Sequence, residues 1–178
     1  MGVNRDALVR LLTDQPDDPS VAPLIHAVEA EQPADLSKDA SLLAGVWELR
    51  WSSARQPWLR QGRWLDNLQI LDPLNGRACN LLRLRGPLGS LGGISVDAEL
   101  QPMDNTRVAI RFVRGGWIGP QLPGQRALQL MRDVKQSFPA WLDITVIDQQ
   151  LRICRGNAGT TFALLRREDL QITDVLTS

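Results

Sequence analysis

From Gly45 onward, apolar residues recur at every second position, which is the period of a β-strand with one buried face. The first of these segments begins with Gly45 and Trp47, which are separated by one residue, and the last ends at Arg166 and Arg167. A first strand with Gly-x-Trp and a last strand ending in arginine suit an antiparallel sheet that closes on itself. The alternation therefore predicts a β-barrel.

The alternation defines eight candidate strands, bounded by turn residues. They cover residues 45–53, 67–71, 78–85, 94–100, 108–112, 142–147, 151–155 and 160–167. The Asn75-Gly76 pair is typical of a hairpin turn. About eight antiparallel strands can close into a barrel whose interior is filled by side chains or holds one small ligand. The sequence does not decide between these two interiors.

The residues ahead of the alternation have the apolar spacing of helices. One helix is predicted from about residue 5 up to the proline-rich stretch 14–19, and a second begins at Ser20. We therefore expect residues 1–44 to be an N-terminal helical segment packing on the barrel, and residues 45–178 to be the barrel domain. The fold class expected is mainly β with some helix (α+β).

Two longer segments, residues 52–64 and 115–139, interrupt the strands. Loops of this length in a compact domain are commonly functional or mobile. Residues 126–136 in the second segment have weak helical character.

Composition and charge exclude several classes of function. The 20 basic and 20 acidic residues give zero net charge, so nothing attracts nucleic acid globally. The apolar runs are too short to span a bilayer, and no signal peptide is expected, which predicts a protein that is not secreted. One histidine and two distant cysteines match no metal-site spacing, and no cofactor is expected. Cys79 and Cys154 are expected to be reduced and partly buried, with a disulfide as the alternative.

The segments at residues 43–49 and 141–159, together with the helical N-terminus, resemble the plastid lipid-associated protein (PAP)/fibrillin family in its cyanobacterial form. The resemblance runs from about residue 8 to residue 167. Three positions depart from the usual pattern, at Trp51, Val146 and Cys154.

This resemblance implies a lipocalin-like barrel and an association with thylakoid membranes or lipid bodies, with a link to photoprotection. It also implies a hydrophobic partner, which is a lipid, fatty acid, carotenoid or quinone. No catalytic residues come with the family. The expected location is the cytoplasm or the periphery of the thylakoid membrane of a cyanobacterial cell.

Barrel closure is assigned to a cation–π contact, because a first-strand tryptophan in lipocalin-like barrels packs under a last-strand arginine. Trp47 is the tryptophan, Arg166 is the first choice of partner and Arg155 the second. Strand parity then predicts the residues that line the interior and bind the ligand. A loop residue, Trp117, is added at the mouth. The predicted ligand-binding residues are then Leu49, Trp51, Ile94, Val96, Val108, Ile110, Phe112, Trp117, Ile144 and Phe162.

The remaining candidates lie outside this interior set. Trp58, Trp64 and Trp117 sit in glycine- and proline-rich loops, where they either cover the barrel rim or dip into a lipid interface. An inward arginine would bind a ligand carboxylate. The candidates for that role are Arg83, Arg85 and Arg111, although outward, solvated side chains are the favoured expectation for all three.

The function expected is non-enzymatic binding of a hydrophobic small molecule in the barrel. The first alternative is a filled barrel that coats lipid bodies or a membrane complex. The second, an enzyme acting on a lipid or isoprenoid, rests only on analogy of fold. His26, Asp143 and Asp148 have no nucleophile or base at a telling spacing.

Overall fold

In a computed structural model, which describes residues 2–54, 64–86, 91–120 and 128–176, nine antiparallel strands form one sheet. They are β1 (Gly45–Ser52), β2 (Leu65–Asp72), β3 (Arg77–Leu84), β4 (Gly93–Pro102), β5 (Arg107–Ile118), β6 (Gln129–Asp133), β7 (Ala140–Ile147), β8 (Leu151–Gly156) and β9 (Thr161–Arg166). Their order is β4-β3-β2-β1-β9-β8-β7-β5-β6, and β4 also pairs with β5. The sheet thus closes into a ring, which confirms the mainly β, lipocalin-like barrel.

The eight strands of the ring are those predicted from the alternation, and β6 is a ninth strand attached to β5. The prediction of weak helix over residues 126–136 was wrong for Gln129–Asp133, which is extended, and its first two positions lie outside the described residues. The reason is the length of β5: only its first residues, from Arg107 to Ile110, pair with β7. The rest of that edge exposes backbone N–H and C=O groups, and β6 supplies their partners.

The helices pack against the sheet or at its closed end. They are α1 (Val3–Asp14), α2 (Val21–Glu31), α3 (Leu36–Asp39) and α4 (Ile172–Val175), with short 3₁₀ turns at Ala40–Leu43 and Pro73–Asn75. The first two helices bury their apolar stripes against the outer faces of β7, β8 and β9. The last helix covers the outer face of β2 and β3.

Trp47 and Arg166 close the barrel between its first and last strands. The two residues are paired in the β1–β9 ladder, and the Arg166 Cζ lies 4.2 Å from the centroid of the Trp47 ring. The guanidinium also donates to three backbone carbonyls, those of Leu42, Ala44 and Gln149, each at 2.6 Å. One side chain therefore ties the strand ends to the segment that enters the barrel and to the β7–β8 turn.

Gly45 is the third member of this closure. Its φ is +141°, a backbone conformation that favours glycine, and a Cβ there would collide with Nη1 of Arg166. The Gly-x-Trp pair thus has a physical basis: the glycine makes room for the guanidinium, and the tryptophan supplies the surface on which it lies.

Arg155, the second candidate for this role, points away from the barrel interior. Its guanidinium bonds to the Glu29 carboxylate on α2, with Nε 3.0 Å from Oε1. The second arginine over the indole is instead Arg152, whose Cζ lies 5.1 Å from the Trp47 ring centroid. Parity explains the difference, because residues 152 and 155 lie on opposite faces of β8.

The interior of the barrel is filled at the end that carries the closure. Trp47, Leu43, Val108, Ile144 and Leu164 are buried there in one apolar cluster. The two cysteines are free and buried. The closed end of the barrel is therefore packed by apolar side chains.

Helix α1 is held on the barrel by an ion pair between Arg5 and Asp148. The contact is bidentate, at 2.8 and 2.9 Å, and the backbone N–H groups of Gln150 and Leu151 donate to the same carboxylate. Burial raises the pKa of Asp148, but these hydrogen bonds outweigh it and hold the pKa below the usual aspartate value.

We expect Arg166→Met to lower the free energy of unfolding by about 2–4 kcal/mol, because the partly buried carbonyls of Leu42 and Ala44 lose a charged donor and Trp47 loses the stacked cation. Urea denaturation measures this loss. The matched control is Arg111→Met, which removes an exposed ion pair with Glu99 and should cost less than about 1 kcal/mol. Equal losses in the two variants would refute the closure.

Asp148→Asn should be less stable than the wild type at neutral pH by about 1–2 kcal/mol, because Arg5 loses the charged partner that joins α1 to the barrel. Since the folded-state pKa of Asp148 is depressed, its contribution is present above the unfolded pKa of about 4 and is lost as pH falls through the folded pKa. The stability gap between variant and wild type should therefore narrow below about pH 4. Urea titrations across this range test it, and a gap independent of pH would contradict it.

Candidate functional site

The end of the barrel opposite the closure contains a cavity of about 420 Å³. Its walls are mainly apolar, and at its mouth Ile94, Phe138, Asn157 and Ala158 are exposed. The volume lies within the usual range of about 300–1,000 Å³ for small-molecule sites. The barrel is thus filled at one end and hollow at the other.

Six of the ten predicted ligand-binding residues line this cavity. They are Leu49, Ile94, Val96, Ile110, Phe112 and Phe162. Val108 and Ile144 also point inward but are 1% exposed each, within the filled part of the core. The parity of the strands therefore identifies the inner face, whereas the depth of each residue along the barrel decides whether it meets the cavity.

Trp51 lies on the outer face of the barrel, contrary to the expectation. The β1–β9 pairing shifts between Leu49 and Trp51, which turns the indole toward the cluster formed with α1 and α2. Such a shift reverses the in–out order of all residues beyond it. Since an irregularity of this kind leaves no mark in the apolar pattern, alternation alone misplaces Trp51.

Trp117 lies away from the cavity walls, on the part of β5 that pairs with β4 and β6. It is paired with Ile94 on one side and with Leu130 on the other, and Ile94 is paired in turn with Leu82. Ile94, Trp117 and Leu130 are 57%, 37% and 64% exposed. We call Leu82, Ile94, Trp117 and Leu130 the apolar row. It runs from β3 at the cavity mouth to β6. Trp64 is also exposed, and Trp58 lies outside the described residues.

The side chain of Gln136 bonds to the backbone of residues that line the cavity. Its Oε1 accepts from the backbone N–H of Phe112 at 2.7 Å, and its Nε2 donates to the carbonyls of Ile110 and Phe138. Ile110 ends the part of β5 that pairs with β7, and Phe112 lies between that part and the part that pairs with β6. The glutamine therefore supplies hydrogen bonds to β5 between its pairings with β7 and β6.

Besides Asn157 at the mouth, three carboxamides on β2 and β3 interrupt the apolar lining. Asn67 and Gln69 on β2 and Asn80 on β3 all line the cavity, and Gln69 is paired directly with Asn80. The sequence analysis did not single them out. Strand parity could have indicated them, because residues 67, 69 and 71 share one face of β2 and Leu71 belongs to the core.

Arg152 lies behind Gln69, at the closed end of the cavity. It is 0% exposed, and its Nη2 donates to Oε1 of Gln69. Its Nε and Nη1 have no hydrogen-bond partner among the described residues. Burial, together with the nearby charge of Arg166, lowers the pKa of Arg152 to about 10, although Cys154 opposes this shift. The sequence analysis missed this inward arginine.

The arginines that were weighed as inward groups all point outward. Arg83 and Arg85 pair with Asp66 on the outer face of β2 and β3. Arg111 pairs with Glu99 across β4 and β5. Within the described ranges, the cavity lining contains no charged side chain.

Among the described residues, no group of three or more histidine, cysteine, aspartate or glutamate side chains is placed to hold a metal ion. In the same part of the chain, no helix is both long and apolar enough to cross a membrane.

Comparison with known proteins places the chain in a family. The PAP_fibrillin family model matches residues 9–165. The chain is 28% identical, over 193 aligned positions, to the probable plastid-lipid-associated protein 2, chloroplastic, of Arabidopsis thaliana. That alignment covers 82% of this chain and 62% of the relative, so the chain spans less than two thirds of that protein. No solved structure matches. Because the family match covers most of its length, this protein belongs to the PAP/fibrillin family.

Proposed function

We propose that this protein binds a hydrophobic small molecule in the barrel cavity, without catalysing a reaction on it. The ligand class is a lipid, fatty acid, carotenoid or quinone. The observation that carries the proposal is the cavity of about 420 Å³, with apolar walls and an open mouth, in a barrel whose other end is packed solid.

Physical chemistry supports an apolar ligand there. Each methylene buried from water contributes about 0.8 kcal/mol, so a long acyl or isoprenoid chain gains affinity without a charged anchor. The polar side chains of the described lining are mostly carboxamides, which bond to polar head groups without carrying charge. Membership of a plastid lipid-associated family and the lipid-associated name of the Arabidopsis relative agree with this ligand class.

A second candidate function, contact with the surface of a membrane or lipid body, is favoured by the apolar row. Exposed tryptophan and leucine side chains partition favourably into a lipid interface. Because Ile94 belongs both to the row and to the cavity mouth, docking through the row would place the mouth near the lipid. We propose that such contact supplies the ligand, at the thylakoid membrane or a lipid body.

We expect Val96→Phe to weaken binding of a fluorescent apolar probe, Nile red, by at least about tenfold. The larger ring fills cavity volume, and excluding two methylene-sized groups already removes about 1.6 kcal/mol. Fluorescence titration gives the affinity. The matched control is Val3→Phe, an exposed position on α1 that should leave binding unchanged. Equal affinities in all three proteins would contradict a cavity site.

Membrane contact is tested with a Trp117→Ser, Leu130→Ser double variant and vesicles of thylakoid-like galactolipids. Removal of two exposed apolar side chains should lower vesicle co-sedimentation at least about tenfold. The control is Leu74→Ser, since Leu74 is 93% exposed on the β2–β3 turn at the opposite end of the barrel. A double variant that sediments like this control would exclude the row as the docking surface.

A further inference from the structure

We propose that the cavity selects amphiphiles that carry a carboxylate, and that Arg152 is the residue that binds this head group. The inference rests on the proposed function, since it specifies the ligand class of the same cavity. The ligand would enter with its carboxylate toward the closed end and its apolar tail toward the mouth.

The first argument is the state of Arg152 itself. Its side chain is completely buried, and two of its three nitrogens lack a partner among the described residues. Buried polar groups are almost always hydrogen-bonded, and arginine keeps its proton in proteins. A buried cation with free donors and no carboxylate is therefore an incomplete site, which an anionic ligand would complete.

The second argument is that the hydrogen bonds of the closure come from Arg166 and leave the free nitrogens of Arg152 unused. Arg166 lies nearer to the Trp47 ring, at 4.2 Å against 5.1 Å, and it makes three hydrogen bonds to backbone carbonyls. The same indole is thus already covered by an arginine with satisfied donors. Burial lowers the pKa of Arg152, and the like charge of Arg166 beside it lowers that pKa further.

The third argument is the path from the cavity to Arg152. Gln69 lines the cavity, and its Oε1 accepts from Nη2 of Arg152. When this side chain rotates, Nη2 is released, and it forms a two-N–H edge of the guanidinium with either of the free nitrogens. Such an edge matches the two oxygens of a carboxylate. The Asn80 carboxamide, paired with Gln69, lies beside the same path.

The lack of acidic side chains in the described lining agrees with a carboxylate ligand. Among the described residues that line the cavity, none is acidic, so no protein carboxylate repels an incoming one. The apolar walls above Gln69 suit a hydrocarbon tail. The ligand class that fits both ends is a long-chain carboxylic acid.

The test compares cis-parinaric acid with its methyl ester, two fluorescent probes that share one chain and differ in charge. The full-length wild type should bind the acid at least about tenfold more tightly at neutral pH, as expected for hydrogen bonds to a charged group. Arg152→Met should bind both probes equally, with ester affinity unchanged. Arg152→Lys should retain a preference for the acid, and Arg111→Met should behave as the wild type.

The outcomes separate this inference from the function on which it rests. If the wild type binds acid and ester equally, Arg152 does not select carboxylates and the inference is overturned, while cavity binding stands. If neither probe binds, both proposals fail.

Thermal unfolding of the ligand-free proteins gives a further readout that does not depend on binding. Arg152→Met should unfold at or above the wild-type temperature, because it removes an unpaired buried charge. A large fall in that temperature, with acid preference retained, would assign Arg152 a structural role.

Discussion

The stacking of Arg166 on Trp47 is the contact on which the architecture depends. It joins the last strand to the first, and the carbonyls of Leu42, Ala44 and Gln149 hold the guanidinium in place. A barrel has no free edges only if its terminal strands pair in register, and this contact lies at one end of that pairing. Gly45 makes the arrangement possible because any side chain there would occupy the same space.

This closure also explains why the barrel is hollow at one end only. The large Trp47 ring and the residues packed against it fill the interior near the N-terminal end of β1. Farther along the strands the inward residues include Val96, Gly156 and three carboxamides, which surround an open volume. The division of the barrel into a packed end and an open end is what allows a stable fold and an apolar site to share one sheet.

Much of this architecture could be predicted from the sequence, because period-two patterning reports directly which face of a strand is buried. It placed all eight strands of the ring and six of the cavity residues, and it selected Arg166 as the partner of Trp47 once a closure of the lipocalin type was assumed. It failed where the cause is not local. Trp51 is turned outward by a shift in the pairing of β1 with β9. Strand β6 forms because β5 extends beyond the part that pairs with β7. Arg152 was missed because a charged residue in a strand ordinarily faces water, whereas burial on the inner face depends on all the neighbouring strands.

The central claim is that the space inside this barrel is a ligand site. The most direct measurement is the anomalous diffraction of crystals grown with palmitic acid that carries bromine on its terminal carbon. The account predicts one bromine peak near the mouth, close to Ile94 and Phe138, with continuous density leading inward toward Gln69. Bromine found only on the outer surface, with the cavity walls collapsed onto each other, would contradict it.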